Sequence, residues 1–419
     1  MRDNIHMRIA MISVHTCPLA VLGGKESGGM NVYVRELSRE LGRKGVGVDV
    51  FTRSQDEHQS HIRHDLGNEN RVFHIPAGPE SPIPKTDLYE HLHEFINGVK
   101  LTAALMDASY DVIHSHYWLS GLAAIELQKY WDIPVVHMAH TLGTNKNKVA
   151  RHPEQFEPPI RLSSELQLLR LVDATIVSTN GERAQIEKMD TQNLAKPVVI
   201  PPGVDLTVFH PYNKKDARKQ LQISLKDSMV LFVGRIEPLK GVDTLLNAIK
   251  YLKDSEQMPP QMLLSIIGGN TSKPNDTRYA ELEKLMVMRD DLGLTNLVAF
   301  LGSRDQTTLH RYYASADVVV MPSHYESFGM VALESMACGT PVIATDVGGL
   351  SQLIIESETG FLVPGNDHVA LANSLGNLLS DNVLRNRLGE RAAEYAEAYS
   401  WPSITEQIIR LYKDVIKRS

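Results

Sequence analysis

The sequence predicts an α/β protein made of two doubly wound, Rossmann-like domains, and three observations carry that prediction. Short apolar runs rich in Val, Ile and Leu alternate with helix-length amphipathic segments, which is the rhythm of parallel βαβ units. The rhythm is interrupted once, by the polar and basic stretch Thr207 to Asp227, and then resumes. The chain has 419 residues, more than one hydrophobic core usually organises, whereas half that length makes an ordinary domain.

Taken in order, the first series places strands at Arg8 to Val14, Val48 to Thr52, Val112 to His116, Val135 to His140 and Ala174 to Ser178, with a helix at Asn31 to Arg43. The run Lys196 to Asp205 closes it, and Thr207 to Asp227 reads as the linker. The second series places strands at Met229 to Val233, Met262 to Ile267, Leu297 to Leu301, Val318 to Met321, Val342 to Ala344 and Gly360 to Val363. Its helices fall at Asp243 to Leu252, Asp276 to Leu292, Thr307 to Ser315, His368 to Asp381 and Val383 to Ala398. A last helix, Trp401 to Lys417, carries Ile404, Ile408, Ile409, Leu411, Tyr412 and Val415 at the spacing of a packed amphipathic face. The expected domains are therefore residues 1–206, 207–398 and a terminal helix in 399–419. No short-period repeat interrupts the pattern, which excludes a solenoid.

Composition narrows the function. The formal charge of −7 comes with no block of basic residues, so nucleic acid is not an expected partner. Cys17 and Cys338 are the only cysteines; far apart and without metal-ligand spacing, they read as two buried thiols in a reducing compartment. The charged start Met1 to Arg8 precedes an apolar run too short for a signal peptide. No run approaches the ~20 residues of a membrane span, so a soluble cytoplasmic protein is expected.

Ligands of open α/β sheets bind outside the carboxyl ends of the strands, and two such sheets are expected to line a common cleft. At one strand end, Glu326 lies in a loop and Glu334 in the second turn of a helix from about Gly329 to Cys338, with Gly339 beyond it. The unpaired N–H groups of Gly329, Met330 and Val331 would form an anion site. A surface acid near a helix start, stabilised by about 0.3–1 kcal/mol through the helix dipole, explains the acids alone equally well. A second element shifts the balance: Val233 to Gly241 brings Arg235 and Lys240 to another strand end, cations able to hold a diphosphate and meet the charge that grows as it departs. A third, Gly23 to Asn31, is glycine-rich after the first strand, which lets backbone approach a ligand.

Together these residues resemble the retaining glycosyltransferases of family 4. The signature Glu-x7-Glu stands at Glu326 and Glu334, with Arg-x4-Lys at Arg235 and Lys240. The resemblance runs from Gly28-Gly-Met-Asn-Val-Tyr33 through His114-Ser-His-Tyr-Trp118 and Ala139-His-Thr141 to Trp401. It implies the two-domain GT-B fold with a final helix crossing back to the first domain. It further implies that Glu326 contacts donor-sugar hydroxyls, Glu334 the ribose, and Arg235 with Lys240 the diphosphate, with no catalytic metal or other cofactor. His140 resembles the family histidine beside the donor sugar; a histidine capping backbone groups is the structural alternative. Gly28, Gly29 and Phe328 to Val331 complete the donor set, and the base would lie near Gly269 and Arg304. Asp346 receives no role.

The first domain resembles two branches of the family that glycosylate a phosphorylated acceptor: sucrose-phosphate synthases and the inositol-phosphate N-acetylglucosaminyltransferases of mycothiol synthesis. Lys85, Tyr117, Thr141 and Arg161 match the phosphate-binding positions of the latter, and Asn31 is placed with the acceptor. Two cations with two hydroxyls speak for a phosphate and leave the ring that carries it open. Fructose 6-phosphate with UDP-glucose is taken first, because the single-unit sucrose-phosphate synthases look similar; inositol 3-phosphate with UDP-N-acetylglucosamine is the alternative. In the first case a separate phosphatase would act on the product. From other classes, a nucleotide-sugar epimerase or a non-catalytic sugar-nucleotide sensor is the rival; product formed without acceptor would mark the epimerase, and binding without turnover the sensor.

Overall fold

The structure, a computed structural model, describes residues 7–20, 28–150, 153–189, 197–269 and 277–419. The glycine-rich segment 23–27, Lys196 and Asp276 lie outside the described residues. The chain divides into two compact units: one holds the described residues up to Pro202 together with Trp401–Ser419, the other Gly203–Ser400.

The first unit is built on strands β1 (Arg8–Ile12), β2 (Gly47–Arg53), β3 (Ile62–Arg63), β4 (Arg71–Ile75), β5 (Val112–His116), β6 (Val135–Met138), β7 (Ala174–Val177) and β8 (Val198–Val199), in the order β3-β4-β2-β1-β5-β6-β7-β8. The pairings are parallel except that of β3 with β4. Parallel pairing needs crossover helices, and Gly29–Arg43, Leu92–Leu105, Trp118–Trp131 and Pro159–Leu171 supply them. The strand order reverses at β1 and β5. The strand expected to reach His140 stops at Met138, because His140 has φ 59°, a left-handed conformation incompatible with a strand.

The helix Trp401–Ile416 belongs to this unit and buries Trp401, Ile404, Ile408, Leu411, Tyr412 and Val415, while Ile409 is only half-buried. It packs on the helix Gly29–Arg43, where the rings of Tyr33 and Trp401 meet edge to face at 5.5 Å. Below them, the Tyr412 hydroxyl is 2.6 Å from Nδ1 of His114.

The second unit contains β9 (Ser228–Val233), β10 (Met262–Ile267), β11 (Val298–Gly302), β12 (Val318–Met321), β13 (Val342–Thr345) and β14 (Gly360–Val363), all parallel, in the order β11-β10-β9-β12-β13-β14. Side chains alternate across this sheet: Val230, Phe232, Val318 and Val320 enter one core, and Met229, Leu231, Val233, Val319 and Met321 the other. A sheet buried on both faces explains why its strands read as unbroken apolar runs. The stretch Thr207 to Asp227, expected to be a linker, is instead part of this unit. It contains the helix Lys214–Gln220, capped by the Asn213 side chain. Its Arg218 is buried, bonded to the carbonyls of Ser315, Ser224 and Asp227 and paired with Asp317 at 2.9 Å. Its polarity serves internal bonds, which hydropathy alone reads as solvation.

Candidate active site

The strand order of the second unit reverses between β9 and β12, the topological switch point where open α/β sheets bind ligands. The loops leaving these two strands carry Arg235, Lys240 and Glu326. Lys240 is ion-paired with the Glu326 carboxylate, both side chains mostly buried. Arg235 is more exposed and pairs with Glu237 at 2.9 Å. The loops are also joined through backbone, His324 N–H donating to Leu239 O at 2.8 Å. Gly241, at φ 65°, sits so close that an added Cβ would be 2.0 Å from Pro322 O.

The helix Met330–Ala337 begins at Gly329, whose φ of 107° requires glycine, and Gly339 follows it at φ 76°. Glu334 is 8% exposed; the Tyr313 hydroxyl donates to it at 2.7 Å and Gln306 Nε2 at 3.3 Å. Two orienting donors fix the carboxylate before any ligand arrives. Phe328, placed with the donor by sequence, has its side chain in the core, 6.0 Å from the Tyr399 ring centroid. Only its backbone is available to a ligand. Gly269 (φ 72°) lies at the end of β10 and its carbonyl accepts from Ser303 N–H and Oγ. The neighbouring Arg304 donates to the Tyr312 hydroxyl at 3.1 Å.

Two glycines that sequence reasoning passed over hold this site together. Gly349 N–H donates to Glu326 O at 2.8 Å. A Cβ at Gly348 (φ 52°) would be 2.0 Å from Glu326 O, and one at Gly349 would be 2.4 Å from Ser327 O. The pair Gly348-Gly349, one residue beyond the unassigned Asp346, was the available signal.

In the first unit, the candidates collect at the carboxyl ends of β5 and β6. Tyr117 (φ 77°) and His140 (φ 59°) are both left-handed non-glycine residues, a strain that tends to cluster where side chains must be aimed. Arg161 lies 4.7 Å over the Tyr117 ring centroid and Lys85 5.8 Å from it. Arg161 donates to the Tyr117 hydroxyl at 3.1 Å and to the Thr141 carbonyl at 2.5 Å. The four phosphate-binding candidates are thus brought together, with Thr141 joined through its backbone oxygen.

Two carboxylates that the sequence did not reveal join them. Arg161, 2% exposed, pairs with Glu165 at 2.7 Å and with Glu157 at 2.8 Å, and Glu157 also pairs with Lys146. Burial opposes charge on Arg161, but Tyr117, Glu165 and Glu157 outweigh it and raise its pKa. Burial raises the Glu165 carboxyl, whereas at Glu157 the neighbouring Arg161 and Lys146 outweigh burial and lower it. Burial pushes the Tyr117 phenol up to about 12.

His140 Nε2 shares a 3.0 Å hydrogen bond with His116 Nδ1. Burial, then the adjacent His137, lowers the His140 pKa to about 3, so it is a neutral hydrogen-bonding group at physiological pH. Asn31, placed with the acceptor by sequence, is 1% exposed and its N–H groups are bonded to Thr16 Oγ1 and Cys17 O. Its Oδ1 accepts from Gly28 N–H at 2.9 Å. Gly28 caps the helix Gly29–Arg43. Cys17, expected to be buried, is only half-buried, with Sγ 3.2 Å from His74 Nε2, while Cys338 is buried as expected.

Residues 213–395 match the family described as "Glycosyl transferases group 1", and residues 27–208 match "Glycosyltransferase Family 4". The chain belongs to the family 4 glycosyltransferases, with the GT-B pair of Rossmann-like units. Among its relatives, a D-inositol 3-phosphate glycosyltransferase of Corynebacterium urealyticum is 40% identical over 412 residues, covering 98% of this chain and 96% of the relative. A protein of the same name from Acidothermus cellulolyticus is 38% identical over 417 residues, covering 98% and 90%. The solved structure of a sucrose-phosphate synthase from Thermosynechococcus elongatus superimposes with a TM-score of 0.90 at 35% identity, covering 99% of this chain and all of the other.

Proposed function

We propose that this glycosyltransferase moves a hexosyl group, with retention of configuration, from a UDP-sugar to a phosphorylated acceptor. The observation that carries the proposal is the convergence of Lys85, Tyr117 and Arg161 at the β5 and β6 strand ends. Lys85, Arg161 and Lys146 bring three cations to these strand ends beside the carboxylates Glu157 and Glu165, and guanidinium and ammonium groups with a phenol are the donors that suit a phosphate. Lys85, stacked on the same phenol and less buried than Arg161, is the direct phosphate partner in this reading. Arg161 orients Tyr117 and the Thr141 carbonyl.

In the donor half, Arg235 and Lys240 meet the charge developing on the departing diphosphate, a contribution largest in the transition state. Glu326, released from Lys240 in proportion to that interaction, accepts hydrogen bonds from sugar hydroxyls. Glu334, held by Tyr313 and Gln306, does the same for the ribose. Neutral His140 offers a hydrogen bond without a competing charge. These cations make a metal ion unnecessary, so turnover should persist in excess EDTA; loss of activity restored by a divalent ion would remove this part of the reading.

Inositol 3-phosphate stands first among acceptors, an order opposite to the sequence expectation, because relatives of that name share 40% and 38% identity along nearly the whole chain. Fructose 6-phosphate stands second, supported by the likeness to the sucrose-phosphate synthase structure. The test incubates UDP-N-acetylglucosamine and UDP-glucose separately with each acceptor and with none, and identifies products by mass spectrometry. A glycosylated phosphate ester is expected; a modified sugar nucleotide formed without acceptor would indicate an epimerase instead.

A further inference from the structure

We propose that Arg53 is a positioning residue for the acceptor, acting through the loop that presents Lys85. The inference rests on the reading that Lys85 meets the acceptor phosphate. Arg53 ends β2, and its side chain is 1% exposed. None of the ion pairs among the described residues involves it. Its guanidinium instead donates to three alternate backbone carbonyls: Ala77 O at 2.8 Å, Pro79 O, and Ser81 O at 3.0 Å. Its Nη1 is buried with no hydrogen-bond partner.

Burial opposes the charge on Arg53 and nearby Glu80 offsets this only in part, which is a costly way to stabilise a fold. The segment it holds, residues 76–86, lies in no helix or strand of its own, and prolines at 76, 79, 82 and 84 remove the N–H donors with which it could join a sheet. Arg53 stands where a neighbouring strand would supply donors, and its planar fork fixes several carbonyls at once. The opposite side of the loop is also fixed. Gly78 (φ 62°) has its N–H bonded to Glu94 at 2.8 Å, and a Cβ there would be 2.6 Å from the His91 ring.

Lys85 follows four residues after Ser81, between Pro84 and the short helical turn Asp87–Tyr89. The ring of Tyr89 stacks on Trp118, 6.0 Å between centroids, immediately after Tyr117 in sequence. Lys85 is therefore bracketed by the Arg53 clamp on one side and the Tyr89–Trp118 stack on the other, and reaches the Tyr117 ring from a path whose φ angles the prolines restrict. Releasing the clamp moves the ammonium without removing it.

The test compares Arg53→Met, Arg53→Lys, Lys85→Ala and the double variant Arg53→Met/Lys85→Ala. Inositol 3-phosphate and fructose 6-phosphate are each measured against the dephosphorylated form. Arg53→Met is expected to raise the acceptor KM about tenfold or more, since small misplacements of a binding group cost that much, while donor KM and kcat at saturating acceptor stay within about threefold. In the Lys85→Ala background the same substitution should cause no further loss in acceptor KM. Arg53→Lys keeps the charge without the fork and should show the same shift at smaller size, which supplies the answer if the Met variant does not fold. An unchanged acceptor KM in a folded Arg53 variant, or losses that add fully to those of Lys85→Ala, would overturn the inference alone. Unchanged acceptor preference in Lys85→Ala would remove the reading beneath it as well.

Discussion

The Lys240 ammonium and the Glu326 carboxylate form an ion pair that joins the loops after β9 and β12 across the switch point of the second unit. Cation and acid, 86 positions apart in sequence, are held in one arrangement before a donor binds. Lys240→Ala should lower kcat about 10²- to 10³-fold, as loss of one preorganised donor does elsewhere, and leave acceptor KM nearly unchanged. Because the pair is shared, Glu326→Gln combined with Lys240→Ala should cost less than the sum of the two. Steady-state kinetics decide: near-normal turnover in Lys240→Ala would reject the assignment.

Glu334 offers a cleaner probe of donor binding, since Tyr313 and Gln306 already satisfy part of it. Glu334→Ala should weaken UDP binding about 10- to 150-fold, the value of a hydrogen bond to a charged group. Tyr313→Phe should weaken it less, by loosening the carboxylate. Calorimetric titration with UDP checks both, and equal affinity in wild type and Glu334→Ala would place the ribose elsewhere.

Gly348→Ala should impair both folding and turnover, because the new Cβ would meet Glu326 O at 2.0 Å. Gly339→Ala is the control: it shares a positive φ, 76° against 52°, but its Cβ would meet nothing nearer than 3.8 Å. Both should lose about 1–2 kcal/mol from the left-handed backbone alone; only Gly348→Ala should also lower kcat. Thermal melts and initial rates on the two variants separate backbone strain from displacement of Glu326.

How far the sequence could be read follows from which interactions are local. The alternation of apolar runs and amphipathic segments made both sheets legible, because parallel strands buried on two faces must be apolar throughout. The spacings Arg235 to Lys240 and Glu326 to Glu334 were legible because each lies within one strand-end loop and its helix. The partners of Arg161 were not: Glu157 and Glu165 fall at helical spacing, but their burial depends on tertiary packing around the helix Pro159–Leu171. The role of Gly348 was hidden for the same reason, since what it avoids is the carbonyl of Glu326. Short strands such as β3 and β4 escaped notice in a stretch rich in charge and histidine. The apparent linker misled because Arg218 and Asp317, which bury its polarity, are 99 residues apart.

A cluster of histidines should make the protein acid-sensitive in a definite window. Burial first, and neighbouring histidines second, lower His114 and His140 to about 3 and His116 well below its usual range; burial lowers His137 to about 4. Folded-state values lie below the unfolded value of about 6.5, so unfolding takes up protons. The associated stability is present above about pH 6.5 and is lost as pH falls from there towards 4. Each histidine still neutral in the fold at pH 5 accounts for about 2 kcal/mol of that loss. The melting temperature should fall by several degrees between pH 7 and 5, a range above most carboxylate titrations. A flat profile there would show that the four imidazoles charge freely in the fold.

Recognition of a phosphate by the first unit, proposed to run through Lys85 and the Tyr117–Arg161 pair, is measured most directly by the preference of the enzyme for phosphorylated over free acceptor. Wild type should show a kcat/KM for inositol 3-phosphate, or for fructose 6-phosphate, far above that for the free polyol or sugar. Lys85→Ala should lose about 1.5–3 kcal/mol of that preference, roughly 10- to 150-fold, with UDP affinity unchanged. Arg161→Ala is a poorer probe, because it would leave Glu165 buried without its cation and Glu157 with Lys146 alone. Equal kcat/KM for phosphorylated and free acceptors in the wild-type enzyme would contradict that proposal, whichever ring proves to be the substrate.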